Sequence, residues 1–200
     1  MENAQILEHR DIQGGYKRLV LRAPGIAPEV RPGQFVHLRV PHLEAAVLRR
    51  PFSVFTTEGD ALAILYKDIG HGTAVLKTAA PGETISLIGP LGRGFPVEAG
   101  GRMPVLVAGG YGMAALYLLA RALPARGVAF FGGKTAGDIL CVDEFEALGW
   151  RVIIATEDGS RGERGVVTEP FDAWLKSDPS GELEFFACGP MGMLRVIGER

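Results

Sequence analysis

The rhythm of the chain changes once, near residue 100, and this change constrains the fold more than any other feature. Before it, short runs rich in β-branched or aromatic residues are separated by Gly, Pro or Asp, which is typical of strands joined by tight turns. The predicted strands cover residues 4–11, 16–22, 34–40, 52–57, 62–67 and 84–88, with one short helix at residues 72–79. Six short strands with one small helix favour a closed, Greek-key β-barrel.

After the change, strand-like and helix-like runs alternate. Predicted strands at residues 105–108, 128–131, 152–156 and 183–187 are each followed by a predicted helix, at residues 113–123, 143–148, 168–176 and 191–198. Such alternation is typical of a parallel sheet with crossover connections. Because Glu98-Ala99-Gly100-Gly101-Arg102 has the composition of a linker, we predict two domains. They are a six-stranded barrel over residues 1–99 and an α/β domain over residues 102–200.

Composition excludes several classes of protein. The net charge is -2 and no basic stripe is present, which argues against nucleic acid as a partner. Cys141 and Cys188 are far apart and show no metal-ligand spacing, so we expect no metal site in these residues and a reduced, cytoplasmic setting. The first residues, MENAQILEHRDIQGGYK, lack the apolar core of a signal peptide.

One apolar stretch, residues 105–123, is almost uncharged and nearly long enough to span a bilayer. Pro104 precedes it, glycines lie near its start, and Arg121 lies near its end. A buried strand, a glycine turn and an apolar helix explain this pattern better than a membrane span. We therefore expect no membrane insertion.

Four short signatures follow one another along the chain: Arg50-Pro51-Phe52-Ser53, Gly72-Thr73, Gly109-Gly110-Tyr111-Gly112 and Cys188-Gly189-Pro190. In the first, a guanidinium can clamp a diphosphate, an aromatic ring can lie against a planar ligand, and the serine hydroxyl or its backbone N–H can donate a hydrogen bond. The second opens the predicted helix, where backbone N–H groups favour anions. These two signatures also have ordinary alternatives, namely a surface arginine on a barrel strand and a threonine that caps a helix.

Two more segments of the first half admit two interpretations each. Leu65-Tyr66-Lys67 lies in a predicted strand and is equally compatible with a ligand contact or with a core tyrosine and a solvated lysine. Residues 89–95, GPLGRGF, follow the last predicted barrel strand. Their glycines permit either close packing near a planar ligand or a plain turn.

In the second half, Gly110, Gly112 and Ala115 fit the pattern G-x-G-x-x-A between a strand and a helix. That context favours a nucleotide diphosphate at the helix N-terminus. The classical dinucleotide-binding fold also needs an acidic residue near the end of the next strand, but residues 130–134, FFGGK, contain none. A classical dehydrogenase domain is therefore not favoured.

Three other features of the second half each admit two interpretations. Lys134 suits a ribose 2′-phosphate as well as a solvated surface position. Thr156-Glu157-Asp158-Gly159-Ser160 suits a ligand loop as well as a turn built by Asp and Ser. Cys188 suits a pocket wall as well as a small, buried hydrophobic position.

In this order and with these gaps, the signatures resemble those of the ferredoxin reductase-like flavoproteins, in which a flavin-holding barrel precedes a nicotinamide-nucleotide domain. Within that superfamily the chain is most similar to the electron-transfer subunits of two-subunit, NAD-linked dihydroorotate dehydrogenases, over essentially its whole length. The GPLGRGF segment and residues 156–160 also resemble loops of the family.

The resemblance implies roles for the signature residues. Ser53 would donate to flavin N5 and Cys188 would lie near the nicotinamide, so these two are the predicted catalytic residues. Gly110 and Gly112 would bind the nicotinamide nucleotide, with NAD favoured over NADP. The predicted FAD-binding residues are Arg50, Pro51, Phe52, Ser53, Leu65, Tyr66, Lys67, Gly72 and Thr73.

The resemblance also implies an iron–sulfur cluster that these residues do not provide. The similar subunits continue into a cysteine-rich tail that holds a [2Fe–2S] cluster, which needs four cysteine ligands. This sequence contains two cysteines in all, so those ligands are absent from it. A truncated chain, a naturally short gene and a cluster-free relative are equally compatible with this difference.

The resulting expectation is an FAD-dependent oxidoreductase subunit that passes reducing equivalents between NAD(H) and a partner protein. The implied partner is a catalytic, dihydroorotate dehydrogenase-like flavoprotein subunit of pyrimidine biosynthesis. Alternatives are a subunit of a related sulfide dehydrogenase or ferredoxin:NADP reductase complex, a non-catalytic flavin-binding redox module, and a barrel plus α/β pair without flavin.

Overall fold

The computed structural model describes residues 1–43, 48–98, 101–177, 179 and 181–200. The chain divides into two compact parts, Met1–Phe95, here called unit 1, and Pro96–Arg200, here called unit 2. Of the predicted linker, Ala99 and Gly100 lie outside the described residues.

Unit 1 is an antiparallel sheet with one short α-helix. In the described part of the chain its strands, in the order β4-β3-β7-β1-β2-β6-β5, form one seven-stranded sheet. All its strand pairs are antiparallel. The elements are β1 (Glu2–Asp11), β2 (Tyr16–Arg22), β3 (Phe35–Leu38), β4 (Arg50–Ser53), β5 (Thr56–Glu58), β6 (Ala61–Lys67), α1 (His71–Leu76) and β7 (Thr84–Leu91).

The prediction of a single strand at residues 52–57 is wrong, and among the residues that the structure describes the sheet has seven strands rather than six. The chain pairs with β3 as far as Ser53 and then crosses to β6, with which Thr56 pairs. The backbone N–H of Val54 still donates to Gln34 (3.2 Å), whereas that of Phe55 donates to Ala63 (2.8 Å). Both side chains at the crossing are buried. A local run of β-forming residues cannot reveal such a change of partner.

Unit 2 is a parallel sheet with helices, as predicted. Within the described residues the sheet has five strands in the order β11-β10-β9-β8-β12, and every pair is parallel. The elements are β8 (Met103–Gly109), α2 (Gly112–Ala122), β9 (Val128–Gly133), α3 (Val142–Ala147), β10 (Arg151–Thr156), β11 (Glu163–Arg164), α4 (Thr168–Lys176), β12 (Leu183–Cys188) and α5 (Met191–Gly198).

Strand β11 is not predicted from the sequence. It consists of two exposed, charged residues that pair with the end of β10, so it carries no apolar pattern. The apolar stretch at residues 105–123 is the expected buried strand, glycine turn and helix. Among the described residues, no helix is both long enough and apolar enough to cross a membrane.

An aromatic cluster forms one core of unit 2. Phe171 of α4 is fully buried and meets Phe130 edge-on, with ring centroids 5.4 Å apart. It also meets Phe185 of β12 at 5.7 Å, and Trp174 packs against the same cluster. Helix α4 is therefore held on the sheet by apolar contacts that join β9 and β12.

Replacing Phe171 by Ala should lower the free energy of unfolding of unit 2 by about 3–5 kcal/mol, because it leaves a cavity among close-packed rings. Both tryptophans, Trp150 and Trp174, belong to unit 2, so urea unfolding followed by tryptophan fluorescence reports on this unit. Val166→Ala is the matched control at an exposed position of the same unit and should change stability by less than about 0.5 kcal/mol. Equal effects of the two variants would contradict the assigned core.

Candidate functional site

In unit 1 the structure brings Arg50 and Gly72 together. Arg50 begins β4, and Gly72 lies in α1. A Cβ atom added to Gly72 would lie 3.4 Å from Nε of Arg50, so the absent side chain leaves room directly beside the guanidinium. Arg50 also donates from Nη1 to the carbonyl of Leu48 (3.0 Å). Two separate predicted signatures thus meet beside one cation.

Thr73 is the third residue of α1 rather than its N-cap, which is Gly70, and its hydroxyl bonds back to the residues that precede the helix. Its Oγ1 accepts hydrogen bonds from the backbone N–H groups of Ile69 (3.1 Å) and Gly70 (3.0 Å), and it donates to the carbonyl of Gly70 (2.9 Å). The hydroxyl therefore closes the turn that precedes α1. Its predicted contact with a flavin diphosphate stays a prediction.

Aromatic residues of β4 and β6 pack against each other in unit 1. Phe52 is half-buried and meets Tyr66 edge-on, with centroids 5.8 Å apart. Tyr66 is buried, and its hydroxyl lies 2.9 Å from Nε2 of His9. Burial, with the nearby Asp68 and Asp11 carboxylates, raises the pKa of Tyr66 well above its ordinary value. The tyrosine therefore stays protonated at neutral pH.

The remaining predicted FAD residues lie around this pair. Pro51 and Ser53 are exposed on β4. Leu65 is buried on the face of β6 opposite to that of Tyr66, so the structure does not bring it together with Phe52. Lys67 places its Nζ 4.9 Å from the centroid of the Tyr16 ring, a cation–π contact.

Packing inside unit 1 explains the GPLGRGF loop. The ring of Phe95 covers Gly33, where an added Cβ would lie 2.5 Å from the ring. At Gly94, which has a positive φ of 76°, an added Cβ would lie 2.6 Å from the carbonyl oxygen of Pro32. The N–H of Phe95 donates to that same carbonyl (2.8 Å). These glycines allow two backbone segments to approach closely.

In unit 2 the two predicted nucleotide signatures lie side by side at the carboxyl ends of β8 and β12. From β8 the chain builds outward to β9 and β10, and it later returns to the other side of β8 as β12. The strand order therefore reverses between β8 and β12. In open parallel sheets, ligands bind at such a topological switch point, beyond the carboxyl ends of the strands.

Glycine is required where these two strand ends meet. A Cβ on Gly112 would overlap the carbonyl oxygen of Cys188, and one on Gly189 would lie 2.9 Å from the backbone nitrogen of Gly109. Gly110 has a positive φ of 56° and donates its N–H to the carbonyl of Gly132 (2.9 Å). The glycines thus let the first turn of α2 lie directly against the end of β12.

Cys188 is a half-buried free thiol, and burial raises its pKa. The thiolate, which is the nucleophilic form, is thus disfavoured at neutral pH. Burial also raises the pKa of Cys141, and the nearby Glu144 adds to the effect. Cys188 is therefore suited to shape a pocket rather than to attack a substrate.

The loop after β10 is a built turn. Ser160 donates to Oδ1 of Asp158 from both its N–H (3.0 Å) and its hydroxyl (2.6 Å), which lowers the pKa of Asp158. The Ser160 hydroxyl oxygen in turn accepts from the N–H of Ala136 (2.7 Å). Lys134 is exposed at the neighbouring end of β9, and its carbonyl accepts from the N–H of Asp158 (3.2 Å). This confirms the turn interpretation of residues 156–160.

No protein-family model matches the chain, but similar proteins are found. The electron transfer subunit of dihydroorotate dehydrogenase B (NAD(+)) from Bacillus caldolyticus is 41% identical over 180 residues, covering 85% of this chain and 67% of that protein. The corresponding subunit from Bacillus cereus is 34% identical, covering 100% of this chain and 78% of that protein. The chain belongs to the family of dihydroorotate dehydrogenase B electron transfer subunits.

Solved structures agree with this family. An NADH-dependent reduced ferredoxin-NADP oxidoreductase, studied for flavin-based electron bifurcation, has a TM-score of 0.85 and 29% identity, covering 98% of this chain and 71% of that chain. The cytochrome b5 reductase domain of Ulva prolifera nitrate reductase has a TM-score of 0.76 at 18% identity, covering 97% of this chain and 88% of that chain. The second likeness concerns the fold alone. The predicted barrel and α/β architecture of this superfamily is confirmed.

Sequence reasoning missed His9. Its only local signal is its position in a strand, and the residues that it contacts, Tyr66 and Ala79, are distant in the sequence. It also missed Gly33, which is needed for the close packing of Phe95. Neither residue belongs to a recognisable short motif.

Gly112→Ala should destabilise unit 2 by about 1–3 kcal/mol, the usual cost of overpacking, because the new methyl group would meet the Cys188 carbonyl. Gly192→Ala is the matched control, since an added Cβ there meets no atom within 4 Å. As Gly192 lies in α5, its replacement should leave stability unchanged or raise it by up to about 1 kcal/mol. Urea unfolding measures both. A stable Gly112→Ala variant would show that the two strand ends do not meet as described.

Proposed function

We propose that this chain passes reducing equivalents between NAD(H) and a catalytic dihydroorotate dehydrogenase subunit, through FAD held by residues 1–99 and NAD(H) held by residues 102–200. The observation that carries the proposal is the 41% identity, over 180 residues, with the electron transfer subunit of the Bacillus caldolyticus enzyme. The two-unit fold and the positions of the four signatures support it.

The residues of unit 1 fit an FAD diphosphate beside Arg50. A guanidinium binds diphosphate oxygens through charge-assisted, bidentate hydrogen bonds, and the open space at Gly72 borders its Nε. Phe52, backed edge-on by Tyr66, offers an aromatic surface for a planar ring system. Pro51, Ser53, Lys67 and Thr73 complete the proposed set, whereas the side chain of Leu65 lies on the opposite face of β6.

The residues of unit 2 fit a dinucleotide at the switch point between β8 and β12. Gly110 puts no side chain at this strand end, so that a diphosphate can approach the backbone, and Gly112 lets the first turn of α2 lie against the end of β12. Cys188 borders the same place as a protonated, half-buried thiol. Asp138 lies in the segment that follows β9. Its buried carboxylate accepts a hydrogen bond from the N–H of Thr135 (3.3 Å), so it already has a partner within that segment. NAD(H) is the nucleotide that we propose, in accord with the relatives' names.

The protein's part in this chemistry is positioning. When bound, FAD would supply the hydride- and electron-transfer chemistry that links NAD(H) to the partner's redox centre. Ser53 is exposed on β4 and would donate a hydrogen bond to flavin N5. The Tyr66 hydroxyl keeps its proton. Burial raises the pKa of Cys188, so its thiol keeps its proton at neutral pH.

The residues of this chain do not fit a [2Fe–2S] cluster. Four cysteine ligands are needed, and the sequence holds only Cys141 and Cys188. In the part of the chain that the structure describes, no group of three or more His, Cys, Asp or Glu residues is arranged to hold a metal ion. The proposed electron transfer therefore does not use a cluster held by these residues.

A ferredoxin:NADP reductase subunit is the second candidate, because the solved oxidoreductase of that type has a TM-score of 0.85 and 29% identity. Mixing the FAD-loaded chain with a catalytic dihydroorotate dehydrogenase subunit separates the two. Our proposal predicts a stable complex on size-exclusion chromatography and NADH formation on addition of dihydroorotate and NAD⁺. Absence of a complex, together with transfer between ferredoxin and NADP(H), would favour the second candidate instead.

Replacing Arg50 by Ala should weaken FAD binding by about 1.5–3 kcal/mol, the value of a lost charge-assisted contact. Equilibrium titration with FAD measures the dissociation constant. Arg22→Ala is the matched control, because Arg22 is an exposed arginine of unit 1 that pairs with Asp60. Unchanged FAD affinity in the Arg50 variant would remove this residue from the proposed site.

Ser53→Ala should retain FAD but slow its reduction by NADH, because the variant lacks the proposed donor to flavin N5. Anaerobic stopped-flow absorbance gives the reduction rate, and a parallel titration gives FAD affinity. Ser86→Ala is the control, as Ser86 accepts a hydrogen bond from Arg49 elsewhere in unit 1. An unaltered reduction rate in the Ser53 variant would discard its assigned role.

A further inference from the structure

His9 connects three segments of unit 1 that lie far apart in the sequence. Its strand, β1, pairs with β2 and β7. Its Nδ1 lies 2.7 Å from the carbonyl oxygen of Ala79, in the segment after α1, and its Nε2 lies 2.9 Å from the hydroxyl of Tyr66 on β6. The imidazole thus bridges β1, β6 and the segment that follows α1.

The chemistry of the groups fixes the direction of the Nδ1 hydrogen bond and, for the neutral imidazole, that of the Nε2 hydrogen bond as well. A carbonyl oxygen only accepts, so Nδ1 must carry the proton that it donates to Ala79. In a neutral imidazole Nε2 then has no proton and accepts. The Tyr66 hydroxyl is therefore the donor to His9. The raised pKa of Tyr66 keeps that proton in place over the physiological range.

This hydrogen bond orients a ring that the flavin site uses. Tyr66 is 3% exposed, and its ring backs that of Phe52 edge-on at 5.8 Å. Its ring also lies 5.9 Å from that of His9. If the hydroxyl lost its acceptor, a buried polar group would be unpaired, which favours movement of the ring toward another partner. Phe52, which rests against that ring, would follow.

We propose that His9 is a positioning residue of the flavin site, which acts through the Tyr66 hydroxyl to hold Phe52 in the orientation that receives the planar ring of the cofactor. The inference rests on the proposed FAD site in unit 1. His9 itself need not touch the cofactor.

The test is a double-mutant cycle on FAD-loaded protein. His9→Phe and Tyr66→Phe should each raise the FAD dissociation constant about three- to tenfold, as for one lost hydrogen bond. The double variant should be no weaker than the weaker single variant, because both changes remove the same interaction. If the two increases in the FAD dissociation constant multiply in the double variant, His9 does not act through Tyr66, and the proposal is overturned.

A conservative variant and a control separate positioning from general stability. The amide of His9→Gln reaches about as far as Nε2 and can accept from Tyr66, so this variant should recover most of the affinity. His42→Asn removes an exposed imidazole of unit 1 that pairs with Glu83 and should leave FAD affinity unchanged. The shape of the flavin absorption band should differ from wild type in His9→Phe but not in His42→Asn. A lowered melting temperature with unchanged affinity and band shape would reduce His9 to a structural role.

A readout without the cofactor checks the geometry itself. Long-range ¹H–¹⁵N NMR of the FAD-free protein should show His9 as the neutral tautomer with its proton on Nδ1. The Tyr66→Phe substitution should shift the Nε2 resonance of His9. The opposite tautomer would overturn the proposal. Wild-type protein that binds no FAD would defeat the proposed function and this inference together, whereas normal FAD binding by His9→Phe would defeat the inference alone.

Discussion

The close approach of two strand ends in unit 2 is the constraint on which the proposed nucleotide site depends. The first turn of α2 lies so near the end of β12 that a side chain at Gly112 would overlap the Cys188 carbonyl. This approach joins the glycine turn to the Cys188-Gly189-Pro190 segment at the topological switch point of the sheet. The burial that results also raises the pKa of Cys188. One packing requirement thus brings the two predicted nucleotide signatures together and partly buries the Cys188 thiol between them.

In unit 1, a change of strand partner and a short helix bring the proposed site residues together. Its chain crosses from β3 to β6 between Ser53 and Thr56, which places Phe52 against Tyr66, while α1 brings Gly72 beside Arg50. In neither unit do the site residues resemble hydrolytic machinery. They offer a cation, aromatic surfaces, a hydroxyl and backbone free of side chains, which is what a protein must supply when a cofactor performs the chemistry.

Features that repeat along the chain could be predicted from the sequence, and features set by distant contacts could not. The parallel sheet followed from the alternation of apolar runs and helices, and the family followed from the order of four signatures. The break at Val54 and Phe55 was missed because both residues are apolar strand formers whose partners change. Strand β11 was missed because Glu163 and Arg164 have no apolar pattern. His9 was missed because its partners are 57 and 70 residues away. The roles of the predicted site residues remain proposals.

The most direct test of the account is an anaerobic visible spectrum of the purified protein, supplemented with FAD, before and after addition of NADH. The account predicts that the protein retains FAD and that NADH bleaches the flavin band. A retained flavin that stays oxidised would contradict the proposed electron path and favour a non-catalytic flavin-binding module. Failure to retain FAD would contradict the assignment of a flavin site to unit 1.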